Sequence, residues 1–446
     1  MKSATATNRP VLFLIALLAF SASPWWLSWL EIPFPDRIEM HLYVLTGVLW
    51  LVLLGMSRLK VALPRRLLNL SISGITLLLC GYLLLGIDRW MAPDHPGYLF
   101  PPGSAVRYTT SEFDVTAHIN SMGIRDREFS MKKTPGKKRI LVFGDSFTFG
   151  WGVALEATWL KLWEADLNRT QGPTEVLNFG QSGRWTQDFL RVAQLAVPEL
   201  KPDVVVVAYY QGNDLFQAME HEQPREGVAF DAQPPVYIWQ PLQKLLPNLL
   251  NPLAATSSEE PLKITPTWLV EATFLLDNYS PEQQERYARF PNPVKHHFER
   301  GKLNPGVVDG AIRQSERYAE MNDPQSSRAR AGREKVMRDL QAIKALAEKQ
   351  GATLRVVVVP HRTYLSSKDR AFEVKDLGMA APPEVPWEAQ PSFWEPLEGV
   401  PVYWNHSTLA KRAERSKLYF TLDGHFTREG NRAFADWLST QWQPLR

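Results

Sequence analysis

Residues 139–153 read R-I-L-V-F-G-D-S-F-T-F-G-W-G-V, from Arg139 to Val153. A short run of branched apolar residues feeds Gly144, Asp145 and Ser146, and a glycine-punctuated turn leads into a helix-like pattern from Leu155 to Leu167. The stretch predicts a strand, a tight turn and a helix start. In an open α/β sheet, ligands bind where the chain leaves the carboxyl end of a strand, and a helix N-terminus there offers free N–H donors. Ser146 is therefore either a nucleophile or the residue that caps the helix.

Working outward, strand patterns recur at Arg139 to Phe143, Glu175 to Phe179, Asp203 to Tyr210, Thr353 to Pro360 and Lys417 to Leu422. Helical patterns fall near Leu155 to Leu167, Gln187 to Leu195, Glu334 to Lys349 and Thr408 to Arg415. Alternation of this kind, with continuous β-branched runs such as V-V-V-V, predicts a doubly wound α/β domain with a parallel sheet covered on both faces. Leu215 to about Ser327 interrupts the rhythm with proline, tryptophan, tyrosine and charge but no clean strand; only Pro281 to Lys302 has a helical pattern. An insertion of that length is expected to be a lid, an acceptor-binding segment or a peripheral decoration.

The chain before residue 91 has another character. Pro10 to Leu30, Met40 to Met56 and Leu67 to Ile87 are nearly uncharged apolar runs, each about the ~20 residues that cross a bilayer as a helix. Trp25, Trp26, Trp29, Trp50 and Trp90 lie in or beside them, several at their ends, as expected at the headgroup region. Lys2 and Arg9 precede the first run, and Arg58, Lys60, Arg65 and Arg66 separate the second from the third. The positive-inside bias then puts everything after Ile87 outside the cytoplasm. Read instead as a cleaved signal peptide ending at Ser21, Ala22 and Ser23, the first run leaves that placement unchanged, and Pro24 makes cleavage there unattractive. The expected organisation is a membrane domain over 1–90, a connector over 91–138 that packs on the catalytic domain through anchors such as Tyr98, Phe113 and Ile124, and the α/β domain over 139–446 with its insertion at about 215–327.

Composition narrows the function classes. A formal charge of +3 over 446 residues, with no basic tract, gives no reason to expect nucleic acid as a partner. The single cysteine, Cys80, excludes an internal disulfide and a cysteine-rich metal site. No metal or cofactor is expected.

Polar signatures gather at one edge of the expected sheet. The second strand ends in Asn178-Phe-Gly-Gln-Ser-Gly183, the third in Gln211-Gly-Asn-Asp214 and the fifth in Asp423-Gly-His425. A hydroxyl is a poor nucleophile until a hydrogen-bonded base takes its proton, and that base works best with a carboxylate fixing its tautomer. His425 and Asp423 are the only such pair at an expected strand end. His361 and Arg362, after the fourth strand, either line the same edge or are ordinary loop residues. Asp145 and Asp214 read as structural acceptors, and the adjacent His296 and His297 do not share a helix face, which argues against a metal there.

On these blocks the sequence resembles the SGNH (GDSL-like) hydrolases. Gly144-Asp-Ser146 is similar to the nucleophile block, Gly183 stands in the N-x-G-x-x-G block, Gly212-Asn213-Asp214 in the G-x-N-D block, and Asp423 with His425 in the last. The resemblance, which covers roughly Asn120 to Trp442 apart from the insertion, implies a strand order 2-1-3-4-5. It implies Ser146 as nucleophile, His425 as base and Asp423 as its orienting acid. The Ser146 and Gly183 backbone N–H groups and the Asn213 amide are implied as the oxyanion hole. Asp423 precedes His425 by two residues rather than the family's usual three, a spacing similar to that of the alginate O-acetyltransferase branch. The G-x-S-x-G elbow of α/β-hydrolases is absent.

The expectation is a membrane-anchored, outward-facing serine esterase acting on acyl, chiefly acetyl, esters of cell-envelope carbohydrate. The alternatives are an O-acetyltransferase modifying an exported polysaccharide, in contact with polysaccharide assembly proteins, and a glycan-binding scaffold without turnover.

Overall fold

The structure is a computed structural model that describes residues 98–100, 102–220, 262–264, 268–404 and 406–442. Among the described residues no helix is long and apolar enough to cross a membrane. The three spans expected over 1–90 lie outside them, as do residues 221–261 of the insertion.

A five-stranded parallel sheet organises the domain. It comprises β3 (Lys138–Gly144), β4 (Thr174–Gly180), β5 (Val204–Tyr210), β7 (Thr353–Val359) and β8 (Val402–Tyr403), in the order β4-β3-β5-β7-β8. Val142 of β3 pairs with Asn178 on one side and Val206 on the other, so the central strand is hydrogen-bonded along both edges. Side chains alternate between two cores. Ile140, Val142, Val204, Val206 and Ala208 point to one, and Leu141, Phe143, Val205, Val207 and Tyr209 to the other. Both faces are thus apolar, which is why these strands read as unbroken hydrophobic runs.

Helices cover each face. Trp159–Thr170 (α2) and Arg428–Gln441 (α11) pack over the first core, while Thr186–Leu200 (α3) and Ser327–Lys349 (α10) pack together over the second. The starts of α2, α10 and α11 are set by side-chain caps. Thr158 accepts from the Lys161 N–H, Ser326 from Ala329 and Thr427 from Gly430, each satisfying a donor that the first turn leaves without a helical partner.

One expected strand is not there. Residues 417–422 form no strand, and only Tyr419 bridges to Phe426; the fifth position of the sheet is taken by the two-residue β8, pairing with Val356 and Val357. The physical reason is where the backbone donors go. The N–H groups of Thr421, Leu422 and Asp423 all donate to the carboxylate of Glu112, at 2.8 Å each, instead of to a neighbouring strand. Glu112 sits in the turn between β1 (Ala105–Thr109) and β2 (Asp114–His118), an antiparallel pair to which β6 (Leu262–Ile264) adds in parallel.

The segment ahead of β3 is tied to the domain by buried charge. The Arg125 guanidinium donates to the carbonyls of Phe149, Gly150 and Val153. Asp126 pairs with Lys161 at 2.6 Å and accepts from the Asn178 N–H at 2.9 Å. Within the insertion, α5 (Trp268–Asn278), α6 (Pro281–Ala288), α7 (Asn292–Glu299), α8 (Pro305–Arg313) and α9 (Arg317–Met321) follow one another, more helix than the sequence pattern indicates.

Two interior charges make the fold testable. The fully buried Arg139 pairs with Glu175 at 2.6 Å and donates to the carbonyls of Ser130, Met131 and Leu200. Arg139→Met leaves Glu175 with only the half-exposed Lys137, 3.3 Å from its Oε2, and strips these carbonyls of their donor in the interior, so we expect a loss of about 3 kcal/mol in urea unfolding followed by tryptophan fluorescence. Glu388 lies beneath Tyr209, whose hydroxyl donates to Oε1 at 3.2 Å, and its Oε2 has no partner. Burial pushes its carboxyl up to about 7. The native state therefore holds this proton at a pH where the unfolded chain has lost it, and the stability that Glu388 gives at low pH is lost as pH rises from about 4.5 through about 7. Glu388→Gln lacks that loss, so its stability relative to the wild type increases from pH 4.5 to pH 8 and is flat above; unfolding midpoints across that range check the sign.

Candidate active site

The turn after β3 settles which residue does the capping. Asp145, not Ser146, is the N-cap of the one-turn helix α1 (Ser146–Phe149), its Oδ1 accepting from the Phe147 N–H at 2.9 Å. The Ser146 hydroxyl is left for another partner. α1 ends at Gly150 in the left-handed region, φ +85°, where a side chain is strained. The turn also sits hard against β4, since a Cβ on Gly180 falls 2.0 Å from the Phe149 nitrogen.

That other partner is His425. Ser146 Oγ lies 2.7 Å from His425 Nε2, and His425 Nδ1 lies 2.6 Å from Asp423 Oδ1. With Nδ1 protonated and donating to Asp423, Nε2 accepts the serine proton. The two-residue spacing works because Gly424, at φ +92°, turns the chain so that the carboxylate meets the ring two positions on. Asp423 has no exposed side-chain surface, and its Oδ2 accepts from Trp151 Nε1 at 3.1 Å. The rings of Phe147 and Trp151 flank the imidazole at 4.9 and 5.9 Å. Asn304 adds a side-chain donor to the Asp423 carbonyl at 3.3 Å.

Ser146 and His425 open onto a cavity of about 190 Å³ that Gly183 and Asn213 also line. The structure thus brings together all five sequence-predicted site residues. Gly183 adopts φ +70°, and Asn213 precedes α4 (Asp214–Glu220) in the turn after β5. Asp145 and Asp214 are structural, as their positions imply. Asp214 Oδ2 accepts from the Tyr210 N–H at 2.9 Å. Burial raises the Asp145 carboxyl to about 7, and burial, with the neighbouring Asp145 charge, raises that of Asp214 well above the ordinary range.

The rest of the wall comes from residues the sequence marked weakly or not at all. His361 and Arg362 line the cavity with Glu373 from the segment after β7, and the insertion contributes Asn304, Val307, Arg317 and Tyr318. Arg362 Nε pairs with Glu373 at 2.6 Å, leaving Glu373 Oε2 without a donor. Burial acts to raise the Glu373 carboxyl, but the neighbouring Arg362 and Arg317 guanidinium groups outweigh it and hold the carboxyl below its usual range. Burial lowers His361 to about 4; its ring nitrogens meet the Tyr318 hydroxyl at 2.9 Å and Thr363 Oγ1 at 2.8 Å. His296 and His297 lie away from this cavity on α7, and no cluster of metal-ligating side chains occurs among the described residues. Trp151 carried a signal in its G-W-G setting; Glu112 carried none, because only the hairpin brings it here.

Residues 142–292 match the GDSL-like Lipase/Acylhydrolase family. The chain therefore carries a GDSL-like lipase/acylhydrolase domain, consistent with an ester-bond hydrolase. No curated protein matches the sequence. Similar solved structures include a lipolytic protein of the G-D-S-L family from Veillonella parvula, 12% identical, covering 69% of this chain and 100% of its own, TM-score 0.31. A lipase/acylhydrolase from Enterococcus faecalis is 13% identical over 69% and 99%, TM-score 0.29. An aryl esterase from M. smegmatis is 14% identical over 68% and 97%, TM-score 0.29. At these scores the likeness says nothing about substrate.

The supports behind Asp423 are open to test. Trp151→Phe keeps the ring and removes one hydrogen bond to a buried carboxylate, a bond worth about 1.5–3 kcal/mol; we expect kcat on an acetyl ester to fall about tenfold or more with KM nearly unchanged. Glu112→Gln removes one of the two acceptor oxygens that hold residues 421–423, and its effect should likewise fall on kcat. Steady-state kinetics on 4-nitrophenyl acetate separates the two parameters.

Proposed function

We propose that this protein is a membrane-anchored serine esterase, working on the outer side of the membrane and removing acyl groups, chiefly acetyl, from cell-envelope carbohydrate. The observation that carries the chemistry is the unbroken chain Ser146–His425–Asp423 opening on a cavity that Gly183 and Asn213 share. Ser146 Oγ attacks the ester carbonyl and His425 Nε2 takes its proton. The carbonyl oxygen becomes anionic and is met by the Ser146 and Gly183 N–H groups and the Asn213 amide, where one such donor is typically worth about 100- to 1000-fold in rate. Collapse expels the alcohol, which takes the proton from His425. Water, deprotonated by the same imidazole, then releases the acid from the acyl-serine.

The location and the carbohydrate rest on the three apolar runs before residue 91 and on the charges between them. The bilayer is then a partner of the chain, and polysaccharide assembly proteins are within reach of it. A second reading, transfer of the acyl group to a sugar hydroxyl, is supported by the insertion, whose Asn304, Val307, Arg317 and Tyr318 wall the cavity where an acceptor would have to exclude water.

The test uses the full-length protein in detergent micelles with 4-nitrophenyl acetate, with and without an oligosaccharide acceptor. Wild type should release acetate and Ser146→Ala should lose on the order of 10⁴- to 10⁶-fold in kcat. Acetylated oligosaccharide among the products establishes transfer. Folded wild type as inert as Ser146→Ala overturns the catalytic reading in favour of a glycan-binding scaffold.

A further inference from the structure

The charges around the cavity do not all cancel. Asp423 is paired with His425, while the one Glu373 carboxylate serves two guanidinium groups, in contact with Arg362 and in the field of Arg317, and the Asp145 carboxyl on the cavity floor is raised to about 7 by burial. His361, lowered to about 4 by burial, and the Tyr318 hydroxyl are neutral near pH 7. Arg317 is different. It forms no ion pair among the described residues; its one side-chain hydrogen bond runs from Nη2 to the neutral Tyr318 hydroxyl at 2.6 Å, and its buried Nε has no acceptor. The guanidinium is held by shape instead, lying over the rings of Tyr318 at 4.6 Å and Phe216 at 5.6 Å. A Cβ on Gly310 would come within 2.8 Å of Nη1, so a glycine in α8 keeps the space that the guanidinium fills.

A cation positioned this way, with an unmet donor and a face on the cavity of the nucleophile, is a receptor for an anion. Guanidinium donors match the planar, forked geometry of a carboxylate, and a single uncompensated charge balances a single negative one better than a phosphate dianion. We propose that Arg317 binds a carboxylate carried by the ester substrate, so that the enzyme selects esters of acidic molecules. The inference rests on the esterase reading for its chemistry and adds the substrate class. Arg317 and Ser146 line the same cavity of about 190 Å³, so the carboxylate lies close to the scissile ester. It belongs either to the acyl chain or to the alcohol that leaves, and both present the same group to Arg317.

Two ester pairs separate those sources. In the first the acid is in the acyl part, 4-nitrophenyl hemisuccinate against 4-nitrophenyl acetate. In the second it is in the alcohol part, 4-acetoxybenzoate against its methyl ester. For the full-length wild type in neutral detergent we expect kcat/KM to favour the anionic member of one pair by about tenfold or more. The preference should vanish in Arg317→Met and persist in part in Arg317→Lys, with the change carried mainly by KM. Wild type that prefers the neutral member of both pairs, or an Arg317→Met protein that keeps the wild-type ratio, overturns the proposal. Binding is read without turnover in Ser146→Ala, as protection of the thermal midpoint by succinate or 4-hydroxybenzoate at constant ionic strength. Protection that disappears when Arg317→Met is added supports the carboxylate site even where no ester is hydrolysed, a result that sinks the esterase reading alone. Hydrolysis of every ester without discrimination, and no protection, sinks the carboxylate site alone.

Discussion

The hydrogen bond from Ser146 to His425 joins residues 279 positions apart at 2.7 Å, and much of the structure around it serves to hold its two ends. The serine end is fixed by the sheet. Asp145 closes the turn, and Gly180 lets the helix that follows lie directly on β4. The histidine end lies on a loop, which needs a different kind of support. Glu112 collects three consecutive backbone N–H groups of that loop in one carboxylate, Trp151 and the His425 N–H hold the two oxygens of Asp423, and Asn304 holds its carbonyl. Backbone donors that would have made a fifth long strand are used instead to position a catalytic loop, since buried N–H groups must find an acceptor somewhere.

Burial at the strand ends has a cost that the site tolerates. Asp145 and Asp214 lie in the interior behind the serine turn with their carboxyls pushed upward, each accepting from backbone N–H groups. Short acidic side chains are the ones that reach back to cap a turn from these positions. The result is a rigid edge whose polar groups are spent on geometry. Ser146, His425, Gly183 and Asn213 line the cavity at this edge, with Asp145 at its floor.

The parts of this arrangement that were legible in the sequence are those set by local pattern. The strands at 138–144, 174–180, 204–210 and 353–359 are largely apolar runs, two of them with V-V-V-V, ending in glycine or a polar turn, and each lies within one or two residues of its expected place. The meeting of Ser146, His425 and Asp423 was expected from the resemblance of their blocks to those of the SGNH hydrolases, together with the need of a serine nucleophile for a base and an orienting carboxylate. Where the pattern misled was Lys417 to Leu422, whose apolar residues Leu418 and Tyr419 pack into the core from a loop. Periodicity reports burial and says nothing about which acceptor takes the N–H groups. Glu112 and Arg317 were invisible for the same reason, because their roles depend on partners brought close only by the fold.

The division of labour across the cavity follows from how the two walls are built. The chemistry sits on turns after β3, β4 and β5 and on the 423–425 loop, all braced by the sheet or by Glu112, where a displacement of an ångström carries a large rate penalty. The opposite wall, with Asn304, Val307, Arg317 and Tyr318, comes from short helices of the insertion. Its link to the machinery is Asn304, which binds the Leu422 and Asp423 carbonyls on the same loop as the histidine. A change elsewhere on that wall alters what enters the cavity without touching the proton path, whereas a change at Asn304 alters both. The insertion is thus where selectivity can vary while the reaction stays the same, and Asn304 is the point at which that independence ends.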